Sequence, residues 1–190
     1  MSELAVGSLS GLAANSYVID VASGSQLTQP GMVLGVESVI KTDTQSSSVA
    51  GGATVTISGL SINYAVSNAS NKLLIMAQVG VSGHSELRSR TGLAIADDGT
   101  LVGVGTGVGS RTATATGGRT TVNTSDQVVT SHFVQFLHTP GDTATHTYTA
   151  EAVNVFASTS TLYINRSEND TDNNSFPRGS SVLTIMEIAG

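Results

Sequence analysis

The stretch "KLLIMAQVGVSG", residues 72–83, constrains the fold of this chain more than any other. It is almost continuously apolar, yet it falls well short of the ~20 residues that a membrane-spanning helix needs. The turn cluster "SNASNK" leads into it and Gly83 closes it. A short apolar run between turn signals reads as a strand covered on both faces. Leu73, Ile75, Ala77, Val79 and Val81 point one way, and Leu74, Met76 and Gln78 point the other. One set must fill a core. The other needs cover from a loop, from an arm of the same chain, or from another subunit.

The C-terminal segment "SSVLTIMEIA" raises the same question, with Val182, Thr184, Met186 and Ile188 set against Leu183, Ile185 and Glu187. Burying second faces of this kind is worth ~25 cal/mol per Å² of apolar area. Leu74, Met76, Gln78, Leu183, Ile185 and Glu187 are therefore the expected oligomer interface, with an intrachain arm as the competing cover.

The same grammar runs between these strands. "MVLGVESVIKTDT" alternates at its far end, and "ATVTISGLSINYAV" reads as a strand with a Gly-Leu kink. Asp97-Asp98-Gly99 signals a hairpin, and "TPGD" signals a turn between two further strands. About ten short strands at this spacing predict an all-β fold, an antiparallel jelly-roll sandwich. Residues 1–30 differ, with short apolar pieces separated by Gly, Ser and Asn and one short strand, "SYVIDV". They read as an N-terminal arm that docks or exchanges between subunits, ahead of a knob domain over 31–190. Leu4, Val6, Leu9 and Leu12 are its candidate docking residues.

Charged residues make up 12% of the 190 and the net charge is −6. Nucleic acid is not an expected partner, because backbone binding needs clustered Lys and Arg. Few charges on so much surface also point to area buried in a homo-oligomer. Cysteine is absent, which excludes disulfide and thiolate chemistry. The N-terminus lacks the basic region and long apolar core of a signal peptide, and no stretch predicts membrane insertion.

Chemistry finds little support. In "NDTDNN", Asp170, Asp172 and Asn174 occupy the first, third and fifth places of a calcium loop, but Ser175 and Ser181 stand where Gly and Glu are required. The loop is read as solvated, closed by Pro177, Arg178 and Gly179. The N-x-S/T triplets at Asn68, Asn123, Asn165, Asn169 and Asn173 are read as chance. "LVGVGTGVGSR" has neither dinucleotide nor P-loop spacing. Its period of two predicts a strand with Gly103, Gly105, Gly107 and Gly109 as a bare face for close packing. His84, His132, His138 and His146 show no zinc spacing, although His132 and His138 could face one another across strands. No enzyme, cofactor or metal is expected.

Four segments resemble a β domain common in tailed-phage virion proteins, especially of marine and cyanobacterial phages. They are "PGMVLGVESVIKTDTQS", "ISGLSINYAVSNASNKLLIMAQV", "HTPGDTATHTYTAEA" and "LYINRSENDTDNNSFPRGSSVLTIMEI", collinear over residues 30–190. Gly35 stands where the family often has Gln, and Ala65-Val66 where it often has Thr-Pro. The resemblance implies a trimeric knob of the tumour-necrosis-factor and complement type, without catalytic residues. It implies a virion location, as a short tail or head fibre held to another virion protein by the arm. A host-surface glycan is a candidate partner. The alternatives are a capsid decoration or cement protein and a carbohydrate-binding adhesive module.

Overall fold

The computed structural model describes residues 29–83, 90–119 and 128–190. Residues 1–28 of the predicted N-terminal arm lie outside these residues, with Leu4, Val6, Leu9 and Leu12, and so do His84 and Asn123. Among the described residues the chain is all-β and holds no helix long and apolar enough to cross a membrane.

One antiparallel sheet contains β1 (Val33–Lys41), β2 (Gln45–Val49), β4 (Lys72–Gly83), β8 (Thr130–His138), β10 (Ser160–Ile164) and β11 (Ser181–Ile188). The second contains β3 (Thr54–Tyr64), β5 (Arg90–Asp97), β6 (Thr100–Val102), β7 (Thr116–Arg119) and β9 (His146–Asn154). In the first sheet β11 lies between β1 and β4, and β8 flanks the other edge of β4. Beyond β11, β10 takes over the same edge of β4, and β2 pairs outside it. The chain passes from sheet to sheet at β2–β3, β3–β4, β4–β5, β7–β8, β8–β9 and β9–β10, as in a jelly roll. The C-terminal strand is thus paired along both edges.

The core lies between the sheets. Leu73, Ile75, Val79 and Val81 from β4, Leu183 and Ile185 from β11, and Leu93 and Ile95 from β5 are fully buried. The expected kink in β3 is a bulge between Thr56 and Ser61. Regular pleating would send Ile57 and Leu60 to opposite faces. Gly59, at φ +81°, lets the strand bulge so that both reach the core. Asp98 and Gly99 both take positive φ, the signature of a two-residue type I′ hairpin, with Asp97 opposite Thr100.

Two polar anchors close the sandwich. Asn165, at φ 59°, is fully buried, and its amide donates to the carbonyl oxygens of Lys41 and Asp43 at 3.0 Å. Its own N–H donates to the Gly80 carbonyl, and its side-chain oxygen accepts from Ser181. The "KTDT" and "YINRS" segments are therefore parts of one clamp. At the opposite end of β11, the carboxylate of Glu187 accepts from Tyr64 Oη, the Ser67 N–H and hydroxyl, and Asn71 Nδ2 at 2.6–3.0 Å. Burial pushes its pKa up, but the hydrogen bonds from Asn71, Ser67 and Tyr64 outweigh this and hold it below the usual carboxylate range. A Cβ at Gly35 would run into the Tyr64 hydroxyl, so the glycine at that position makes room for the anchor.

Candidate assembly interface

Directly opposed residues in an antiparallel ladder share a face, so the register decides which side chains can meet another molecule. Leu183 lies opposite Ala77 and Ile185 opposite Ile75, and all four are buried inside the sandwich. Glu187 is buried on the same side. The expectation that Leu183, Ile185 and Glu187 form an oligomer interface is thereby corrected. Both parities of β11 are apolar, and only pairing with β4 shows which one faces inward.

Leu74, Met76 and Gln78 do lie on the outer face, with the other parity of β11 beside them. One row runs Val36, Met186, Leu74, Leu137 across β1, β11, β4 and β8. The next runs Ser38, Thr184, Met76, Gln135, and the third Ile40, Val182, Gln78, Phe133. These three rows contain no charged side chain. Ser38 and Thr184 hydrogen-bond to each other at 2.8 Å, and Gln78 donates to Ser131 Oγ at 3.3 Å. Val36, Ile40, Phe133 and Leu137 are 55–67% exposed. Large apolar side chains this exposed, on an outer face with three uncharged rows, make it the candidate assembly surface. Phe133 and Leu137 escaped sequence reasoning, although the alternation in "HFVQFLH" was their signal.

The glycine run is not a strand face. Strand β6 ends at Val102, and residues 103–115 form a loop turned by Gly103 and Gly109, both at φ +63°. Alternation in sequence cannot hold a strand where two positions need left-handed backbone. Gly103 does pack closely, since a Cβ there would strike the Phe136 ring. Gly105 hydrogen-bonds to the Thr114 carbonyl, and Gly107 and Gly109 have more room.

The acidic loop between β10 and β11 is stabilised internally. Arg178 forks onto Asp170, with Nε and Nη2 at 2.9 and 2.6 Å, and Asn173 accepts from the Ser175 N–H. The Arg178 hydrogen bond holds the Asp170 carboxyl below its usual range.

A cluster of titratable groups that spacing could not show sits where β5 and β8 end and β9 begins. Asp97 binds His138 Nε2 with one oxygen at 2.9 Å and His146 Nδ1 with the other at 2.8 Å. His146 Nε2 lies 3.1 Å from Asp142. The hydrogen bonds to Asp142 and then Asp97 push the His146 pKa up. Asp97, Asp98 and His146 place ligand atoms within 4.8 Å of one another, yet both oxygens of Asp97 are already committed to histidines. The Tyr148 phenol, buried beside the two imidazoles, is pushed up by burial and then by Asp97, Asp98 and Asp142. His132 and His138 do not face one another across strands. Both stand on β8, and buried His132 meets Thr91 Oγ1 at 2.8 Å while burial lowers its pKa.

No protein-family model and no curated protein matches the chain. A solved structure described as that of infectious bursal disease virus Gt strain overlaps it with a TM-score of 0.37 and 15% sequence identity, over 90% of this chain and 42% of the other. The chain thus spans less than half the length of that protein. Overlap at this level supports no statement about function.

Proposed function

We propose that this chain is a non-enzymatic structural protein of a phage particle, a jelly-roll knob that assembles as a homotrimer through the outer face of the sheet containing β1, β11, β4 and β8. The uncharged rows from Val36 to Leu137 and from Ile40 to Phe133 carry the reading. The phage assignment and the threefold state come from the collinear resemblance to tailed-phage virion domains. On this reading the N-terminal arm attaches the knob to a tail or capsid protein, and the loops away from the assembly face meet the outside, including a host surface. Light scattering on the purified chain tests it. The expected result is a trimer at micromolar concentration, and a stable monomer there would overturn it.

A further inference from the structure

An open cleft of about 630 Å³ lies between the turn at residues 50–53, the loop after β9 and the glycine-rich loop. This volume is within the range of small-ligand sites, ~300–1,000 Å³. Two of its three walls, the turn at 50–53 and the loop after β9, are held by one fully buried side chain. Asn154 Nδ2 donates to the carbonyls of Val49, Ala50 and Ser158, and its Oδ1 accepts the Phe156 N–H at 3.0 Å. Those two walls are therefore pinned backbone.

Two arginines line it, Arg90 at the start of β5 and Arg111 on the glycine-rich loop. Lys41, Arg166 and Arg178 each face an aspartate. Among the described residues Arg90 and Arg111 have no acidic partner. The Arg90 guanidinium stacks over Phe156 at 5.0 Å from the ring centroid, and its Nε is buried without a hydrogen-bond acceptor. A buried donor left in that state normally finds a partner. Arg111 is exposed, with its own N–H bonded to the Val108 carbonyl in the turn that follows Gly107. Ser110 and Thr112 flank it on the same wall. The glycine run, which forms no strand face, thus delivers Arg111 to the cleft.

We propose that this cleft binds an anionic saccharide, with Arg90 and Arg111 holding its acidic groups. Paired guanidinium groups suit planar or tetrahedral oxyanions. The space exceeds one oxyanion, and the hydroxyls of Ser110 and Thr112 beside the half-buried Phe156 suit a ligand with both hydroxyl and apolar faces. A long polyanion such as nucleic acid is opposed by the net charge of −6. The inference gives a chemistry to the host-surface contact proposed above, and it is independent of how the subunits associate.

The test is calorimetric titration of the full chain with an oligogalacturonate, a heparin tetrasaccharide and sialyllactose, which separate carboxylated, sulfated and sialylated sources. Maltotriose and inorganic phosphate serve as the neutral and simple-anion probes. At least one acidic saccharide should bind, more weakly as salt rises, and Arg111→Gln should weaken it ~10- to 100-fold. Arg178→Gln should leave it unchanged. Arg111 is exposed on a loop, so its variant should fold; Arg90→Gln is the second variant. Three results would overturn the proposal: no acidic saccharide bound, maltotriose or phosphate bound equally well, or undiminished binding in both arginine variants. Light scattering on the same samples shows whether loss of binding occurs with self-association intact, which would leave the assembly reading standing.

Discussion

Glu187 shows how much one residue can carry. Its alternation with Leu183 and Ile185 suggests a carboxylate at an interface, whereas the structure gives it four donors from the β3–β4 segment. Glu187→Gln should destabilise the fold at neutral pH by about 1–3 kcal/mol, because an amide nitrogen would replace one acceptor and leave buried donors unmatched. The folded pKa lies below the unfolded one, near ~4.3. The stabilisation from the charge is therefore complete above the ordinary carboxylate range and is lost as pH falls through the lowered folded value. Denaturant melts from pH 7 down to pH 3 should show wild type converging on the variant. A constant gap between them would remove this role.

Among the elements, β11 carries Ser181 and Glu187, one for each polar anchor of the sandwich. It pairs with β1 on one side and β4 on the other, and its inward residues Leu183 and Ile185 are fully buried. Deleting residues 182–190 removes two ladders and a layer of core at once. The expected product has no cooperative thermal transition by circular dichroism, and a soluble truncation that melts cooperatively would show that β11 is dispensable. Elements were readable where local chemistry is decisive: the Asp98-Gly99 hairpin and the Gly59 bulge follow from residues that tolerate positive φ. The glycine run was misread because alternation alone resembles a strand, while two of its glycines adopt loop backbone.

At the scale of the whole molecule, the outer face of the first sheet is the candidate assembly surface. The face of β1, β11, β4 and β8 has three rows without charge, and Phe133 and Leu137 stand on its exposed side. They contribute little to the monomer's core, so Phe133→Asp with Leu137→Asp should dissociate the proposed trimer and leave the thermal transition of the subunit in place. Sedimentation together with a melt checks both halves. A variant that stays assembled would move the interface elsewhere. The arginine cleft is built separately from this face, from the β2–β3 turn, the loop after β9 and the glycine-rich loop.

Periodicity and turn chemistry by themselves determine that this chain forms many short strands in a sandwich and where several turns lie. Those properties are local, set by the two-residue pleat and by residues that accept left-handed backbone. Tertiary structure decides which parity of β11 faces inward, that Asn165 joins the "KTDT" and "YINRS" segments, and that Asp97 meets His138 and His146. It also brings Arg90 and Arg111 to one cleft. Each of these depends on register and on contacts between residues distant in the chain, and a strand that is apolar on both faces carries no local signal that distinguishes core from interface.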